Sequence, residues 1–132
     1  MLIKILSSLI FLITSLDCNT KVENDATQKP VITEISVSQA KSLIKNTKGL
    51  IILDVRTPEE TAQGIIKGAI IIDIARNDFK DKVQKLDKTK PILVYCKAGG
   101  RSSTATEIME ELGFKKLYNL TEGYDEWKSV KN

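Results

Sequence analysis

Short apolar runs and longer amphipathic stretches alternate along the chain from about residue 31 onward. A short continuous apolar run predicts a buried strand, and apolar residues spaced three or four positions apart predict a helix. The predicted strands cover residues 31–35, 50–55, 69–74, 91–95 and 116–120. The predicted helices cover residues 36–45, 59–63, 77–86 and 102–112, with a last helix around Tyr124 and Trp127.

The order and composition of these segments predict an α/β fold. The strands are apolar at successive positions, which is typical of strands buried on both faces. We therefore expect an open parallel sheet of about five strands with helices on both faces. Ligands bind such sheets beyond the carboxyl ends of the strands. Because Asp54 and Cys96 both stand at such ends, we expect one crevice to hold both.

Local signals place some of the helix ends. Ser36 and Gln39 have the spacing of a capping box. Pro58 suits the first turn of a short helix. Asn77 is a candidate N-cap for the following helix, and Gly113 is a candidate C-terminal stop.

The first 30 residues differ from the rest of the chain. Residues 1–18 combine a basic start with an apolar run broken only by Ser and Thr, which predicts a signal segment. Residues 19–30 are polar and predict a flexible linker. Residues 31–132 then form the folded domain. The alternative, that the apolar run is a first helix of the domain, is disfavoured by the polar linker that follows it.

Cys18, directly after the apolar run, resembles the lipidated cysteine of a bacterial lipoprotein signal. Asp17 departs from that pattern, which has a small residue at this place. Lipidation of Cys18, simple cleavage and an uncleaved anchor therefore remain alternatives. We expect export to the periplasm, with a membrane tether if Cys18 is lipidated or the segment is retained.

Composition excludes several classes of function. A net charge of +3 with scattered lysines argues against a nucleic-acid partner. The chain contains no histidine, which excludes a Ser-His-Asp triad, a Cys-His protease and the usual zinc sites with histidine ligands. Its cysteines, Cys18 and Cys96, are too few for a tetrathiolate metal site. We expect neither a metal nor a cofactor.

Cys96 is the strongest candidate for chemistry. It follows a predicted strand and opens a glycine-rich turn that leads into a helix, so backbone N–H groups and the helix dipole favour its thiolate. Lys97 and Arg101 add two cations nearby in the sequence. The alternative is a buried apolar cysteine at the end of a core strand, which the two adjacent glycines and flanking cations disfavour.

Four blocks of the sequence together resemble the rhodanese superfamily of sulfurtransferases. Residues 96–101 (CKAGGR) resemble the six-residue active-site loop, and residues 53–60 (LDVRTPEE) resemble the D-V-R-x-P-x-E signature. Residues 64–70 (GIIKGAI) and 118–127 (YNLTEGYDEW) resemble the G-H-I-x-G-A-x and L-x-G-G-x-x-x-W blocks. Ile65 replaces the usual histidine, so we expect a hydrogen bond of that loop to be missing. Glu122 replaces a common glycine.

The resemblance implies roles for the residues of the loop. Cys96 is the nucleophile, and Lys97 and Arg101 attract an anionic sulfur donor. Ser102 and the backbone of the loop bind the substrate, the backbone cup being formed by Ala98, Gly99 and Gly100.

The same resemblance places Asp54 and Arg56 in support of the loop. The alternative for these two is a purely structural ion pair in which Arg56 bonds Glu59 or Glu60. For Tyr124 and Trp127 we expect core packing.

The implied function is transfer of a sulfane sulfur through a Cys96 persulfide. The donor would be a small anion such as thiosulfate or polysulfide, and the acceptor a thiol, a protein thiol or cyanide. One alternative is a cysteine phosphatase or arsenate reductase, but those enzymes have a C-x5-R loop and this loop is one residue shorter. Another is a non-catalytic rhodanese-like binding module, although such modules typically lack the cysteine.

Overall fold

The computed structural model describes residues 31–130. The predictions for residues 1–18, for residues 19–30 and for Cys18 lie outside this part of the chain and stay predictions. Among residues 31–130, no helix has the length and apolarity needed to cross a bilayer.

Strands and helices alternate through the described residues. The strands are β1 (Ile32–Ile35), β2 (Ile51–Asp54), β3 (Ile70–Ile71), β4 (Ile92–Tyr95) and β5 (Leu117–Leu120). The helices are α1 (Val37–Asn46), α2 (Pro58–Thr61), α3 (Phe79–Val83), α4 (Gly100–Glu111) and α5 (Gly123–Ser129). The strands form one parallel sheet in the order β1-β5-β4-β2-β3. This architecture confirms the predicted fold class.

Successive residues of the central strand β4 pack on opposite faces of the sheet. Ile92, Val94 and Cys96 belong to the core that includes α3 and α4 residues. Leu93 and Tyr95 belong to the core that includes α1 and α5 residues. Each face therefore needs apolar side chains, which explains why the strands read as continuous apolar runs.

The first helix begins as its sequence indicates. The Ser36 side chain accepts a hydrogen bond from the Gln39 N–H at 3.3 Å, and the Gln39 side chain accepts one from the Ser36 N–H at 2.9 Å. A second capping box, between Thr57 and Glu60, begins α2 and was not predicted. It holds the Glu60 carboxylate against the Thr57 N–H at 3.0 Å.

The predicted boundaries of β3 and α3 are wrong. The third strand is confined to Ile70 and Ile71, because the chain turns after it, where Asp73 accepts a hydrogen bond from the Ala75 N–H. At α3 the N-cap position is Asp78, not Asn77, and its side chain makes no capping bond. The Asp78 carboxylate instead forms exposed ion pairs with neighbouring cations.

Helix α4 begins two residues earlier than predicted, at Gly100. Gly99 precedes it with φ of 96°, a conformation that glycine adopts without steric cost. The Ser103 N–H donates to the Gly99 carbonyl at 3.1 Å. The turn is therefore short, and the N-terminus of α4 lies directly beside the Cys96 loop.

Candidate active site

Cys96 follows β4 at the carboxyl end of the sheet, and its side chain is buried, with 1% exposure. The loop from Cys96 to Gly99 joins the strand to α4. A side chain at Gly99 would collide with the Thr121 carbonyl, so the loop can approach β5 only because this residue is glycine. The glycine-rich turn thus has a packing reason as well as a conformational one.

Hydrogen bonds converge on the Cys96 sulfur. The Gly99 N–H lies 3.1 Å from Sγ, and the Ser102 hydroxyl lies 3.4 Å from it. Burial raises the pKa of Cys96, but hydrogen bonds from Ser102, Ala98 and Gly99 outweigh burial and hold the pKa below its ordinary value. The structure therefore favours a thiolate, with hydrogen bonds as the main cause.

The N-terminus of α5 supports the loop from the other side. The Tyr124 N–H donates to the Cys96 carbonyl at 2.8 Å, and the Asp125 N–H donates to the Lys97 carbonyl at 3.1 Å. Gly123 has φ of 66°, and a side chain there would collide with the Lys97 carbonyl. This glycine therefore allows α5 to hold the loop by its backbone.

Glu122, at the place where the resemblance has a common glycine, has a role of its own. Its carboxylate accepts a hydrogen bond from the Val37 N–H at 2.6 Å. That N–H belongs to the first turn of α1 and has no partner within the helix. Glu122 thus joins the segment before α5 to the N-terminus of α1. Ile65, the other departure, is an exposed apolar side chain.

Arg101 is held by a glutamate of another helix. Its two terminal nitrogens donate to the two carboxylate oxygens of Glu60 at 2.8 and 2.7 Å. Hydrogen bonding to Arg101 lowers the pKa of Glu60 to about 2, so this carboxylate is charged at neutral pH. The alternative in which Arg56 bonds Glu59 or Glu60 is wrong, because Glu60 binds Arg101 and the Arg56 side chain bonds Asp54 and the Gly64 carbonyl.

Arg56 pairs instead with Asp54 inside the protein. Its side chain donates to both carboxylate oxygens, with a shortest distance of 2.7 Å, and also to the Gly64 carbonyl at 2.7 Å. The guanidinium carbon lies 4.1 Å from the centre of the Tyr124 ring and 5.5 Å from that of Tyr95. This buried pair ties the end of β2 to the following loop and to α5.

The expected single crevice for Asp54 and Cys96 is not formed. The Asp54 carboxylate accepts hydrogen bonds from Arg56 and lies beside Tyr95, which belongs to the core on the face opposite to Cys96. Strand alternation is the reason, because Asp54 lies beside Tyr95 in the register of β2 and β4. The Asp54–Arg56 pair can therefore support the Cys96 loop only from the opposite face of the sheet.

A polar cleft of about 290 Å³ opens beside the loop. Its lining combines residues of the loop, α2 and α5: Arg56, Glu60, Gln63, Lys97, Tyr124, Asp125 and Lys128. The Lys97 side chain is exposed here, and it has no ion-pair partner among residues 31–130. No group of three metal-ligating side chains occurs in the same described part of the chain.

Three residues of the site have roles that the sequence patterns did not predict. Glu60 binds Arg101, and it was visible as the last residue of the D-V-R-x-P-x-E block. The Tyr95 hydroxyl accepts a hydrogen bond from the Ile66 N–H at 3.0 Å, and its only signal was a phenol within an apolar strand. Tyr124 packs in the core as expected, but it also covers Arg56.

Comparison with known proteins agrees with this arrangement. A family model described as the rhodanese-like domain matches residues 36–130. The chain belongs to the rhodanese-like family. The putative sulfurtransferase YtwF of Bacillus subtilis is 35% identical over 97 residues, which cover 74% of this chain and 91% of the relative. The thiosulfate sulfurtransferase GlpE of Coxiella burnetii is 33% identical over 96 residues, covering 73% and 87%.

Solved structures lead to the same family. A rhodanese-like domain protein from Staphylococcus aureus superposes with a TM-score of 0.65 at 29% identity, covering 72% of this chain and 90% of that one. Relatives named as sulfurtransferases support a rhodanese-type sulfurtransferase as the class of this enzyme.

Proposed function

We propose that this protein transfers a sulfane sulfur from a small anionic donor such as thiosulfate or polysulfide to a thiol or cyanide acceptor, through a persulfide on Cys96. The observation that carries the proposal is the convergence of backbone and hydroxyl donors on the Cys96 sulfur. Preorganised donors of this kind stabilise negative charge as it develops or moves during a reaction. They suit both the thiolate and the anionic terminal sulfur of a persulfide.

The reaction has two balanced halves. The Cys96 thiolate attacks the outer sulfur of thiosulfate, a sulfur–sulfur bond forms, and the original one breaks so that sulfite leaves with its electron pair. An acceptor thiolate then attacks the terminal sulfur of the persulfide. The acceptor leaves as a persulfide, or as thiocyanate when it is cyanide, and the Cys96 thiolate returns.

The residues around the sulfur have distinct tasks in this proposal. Lys97, exposed at the polar cleft, attracts the donor anion. Arg101 contributes to the same attraction as far as its pairing with Glu60 allows. Ser102 and the N–H groups of Ala98 and Gly99 hold the charge on sulfur, and Gly100 begins the helix whose dipole points at it.

The loop supports this proposal over the phosphatase and arsenate reductase alternatives. Four residues separate Cys96 from Arg101, which makes a smaller cradle than a C-x5-R loop. A smaller cradle matches one sulfur atom better than a tetrahedral phosphate. The presence of the buried, hydrogen-bonded Cys96 likewise argues against a non-catalytic module.

Mass spectrometry of the full chain after mixing with thiosulfate tests the proposal. We expect the protein to gain the mass of one sulfur atom, located on Cys96 and removed by cyanide with formation of thiocyanate. Cys96→Ser is nearly isosteric and should stay folded without gaining sulfur or turning over. Cys18→Ser is the matched control and should react like the wild type. Turnover by the folded Cys96→Ser variant would contradict the proposal.

We also propose that the enzyme acts after export, on the basis of residues 1–18 and the polar linker of residues 19–30. A lipidated Cys18 or a retained signal segment would anchor it to a membrane that faces the periplasm. Fractionation of cells should then find the protein outside the cytosol, and Cys18→Ala should release it from membranes if lipidation is the anchor. Recovery of the intact chain in the cytosol, free of membranes, would overturn this proposal.

A further inference from the structure

The two cations beside Cys96 are in different electrostatic situations. Arg101 is bound by both oxygens of the Glu60 carboxylate, at 2.8 and 2.7 Å. Lys97 is exposed at the mouth of the polar cleft and has no ion-pair partner among residues 31–130. A bidentate carboxylate cancels most of the field of a guanidinium at a distance. The loop therefore presents about one free positive charge instead of two.

Glu60 is positioned for this pairing by its own helix. Its carboxylate accepts the Thr57 N–H at 3.0 Å, as part of the capping box that begins α2. The neighbouring Glu59 is exposed, and the structure gives Arg101 no bond to it. Glu59 and Glu60 are thus neighbours on one short helix, but only Glu60 binds Arg101.

We infer that Glu60 determines how strongly the enzyme discriminates between sulfur donors of different charge. It acts through Arg101 as a positioning residue: by holding the guanidinium it reduces the preference of the loop for doubly charged donors over singly charged ones. This inference rests on the proposed sulfur transfer. Its chemical consequence is that donors whose sulfane sulfur is carried by an organic, less charged group compete better with thiosulfate.

A pair of donors isolates this effect. Thiosulfate carries two negative charges, and methanethiosulfonate carries one, with a methyl group in place of an oxygen. In both, Cys96 attacks the outer sulfur, and sulfite or methanesulfinate leaves with the electron pair. The ratio of kcat/KM for thiosulfate to kcat/KM for methanethiosulfonate, with cyanide as acceptor, therefore reports the electrostatic field of the loop.

The key variant is Glu60→Gln, with Glu59→Gln as its matched control. Releasing Arg101 adds one unit of positive charge near the donor. Because thiosulfate carries one more negative charge than methanethiosulfonate, this added charge favours thiosulfate. For charges that act across a solvated cleft, Coulomb's law corresponds to an increase in the ratio of about two- to tenfold. The Glu59 variant removes the same charge without releasing Arg101 and should change the ratio much less. Added salt should shrink the effect of Glu60→Gln, because mobile ions screen exposed charges.

A double variant separates charge from mechanical support. Arg101→Gln alone leaves Glu60 negative and unpaired, so the ratio should fall below the wild-type value. Glu60→Gln combined with Arg101→Gln restores the neutral balance of the native pair, so the ratio should return towards wild type. A purely structural role of Glu60 predicts instead that both donors lose kcat/KM equally in Glu60→Gln and that the double variant is no better.

The outcomes of this experiment are distinguishable. If the wild type takes up sulfur from neither donor, the proposed function fails. If the wild type reacts but Glu60→Gln leaves the ratio unchanged, lowers it, or matches Glu59→Gln, the inference about Glu60 is overturned while sulfur transfer stands. A raised ratio in Glu60→Gln that the double variant reverses supports the inference.

Discussion

The buried pair of Asp54 and Arg56 predicts a large loss of stability when its charge balance is broken. Asp54 is fully buried and Arg56 is 3% exposed, so the guanidinium has little contact with water. Asp54→Asn changes the charge with almost no change in shape. It leaves a buried cation next to the Gly64 carbonyl and two aromatic rings, without its carboxylate.

Removing one partner of a buried ion pair costs about 3–5 kcal/mol. For a domain of roughly 100 residues, 1 kcal/mol corresponds to a change in Tm of about 4–8 °C. Asp54→Asn should therefore lower Tm by more than about 12 °C. The loss is a large part of the total stability of such a domain, about 5–15 kcal/mol.

Urea unfolding of the full chain, followed by the fluorescence of the single tryptophan, Trp127, measures this loss. Asp78→Asn is the matched control, because the Asp78 carboxylate also forms ion pairs but is 40% exposed. We expect a far smaller change in the control. At low temperature, the folded fraction of Asp54→Asn should still take up sulfur on Cys96. The reason is that the Asp54 carboxylate bonds Arg56, whereas the hydrogen bonds to the Cys96 sulfur come from Gly99 and Ser102. Equal stability of the two variants would refute this account of the pair.

Three further predictions follow from the contacts of the site. Ser102→Ala removes a hydroxyl 3.4 Å from the Cys96 sulfur and should therefore raise the pKa of the thiol. The pH dependence of alkylation by iodoacetamide measures this pKa, and an unchanged profile would contradict the role given to the hydrogen bond. The pKa of Glu60 is lowered from 4.5 to about 2 on folding, so its pairing stabilises the protein above about pH 4.5 and this contribution disappears as the pH falls towards 2. The difference in free energy of unfolding between wild type and Glu60→Gln should therefore be constant at neutral pH and shrink in acid, and a constant difference down to about pH 2 would be inconsistent with it. Gly123→Ala should cost more stability than Gly68→Ala. Both residues have positive φ, which costs an L-residue about 1–2 kcal/mol, but only at Gly123 would the new methyl group collide with the backbone of the loop. Equal losses of stability in thermal unfolding would argue against the close approach of Gly123 to the loop.

Local patterns of the sequence determine the architecture of this protein. Continuous apolar runs separated by amphipathic stretches are sufficient to predict a parallel sheet with helices on both faces. The capping box of Ser36 and Gln39 depends on residues three positions apart, so it too is predictable. Cys96, Gly99 and Ser102 lie in one short segment of the sequence, and the hydrogen bonds to sulfur form within it.

Tertiary structure decides which charged side chains meet. Glu60 and Arg101 are 41 positions apart, and their contact depends on how α2 and α4 are placed after the carboxyl ends of β2 and β4. Arg56 could have bonded either neighbouring glutamate. In the fold, however, the Asp54 side chain lies beside Tyr95 and accepts the hydrogen bond of Arg56.

The same distinction explains why the third strand is shorter than predicted. Residues 69–74 are apolar enough for a full strand, yet only Ile70 and Ile71 form one, since the turn at Asp73 ends it. Propensity and periodicity describe what a segment buries, whereas the length of an edge strand and the partner of a charge depend on the elements packed around them. For this protein the sequence alone predicts Cys96 as the nucleophile and places Gly99 and Ser102 close to it, whereas the fold decides that Glu60 pairs with Arg101.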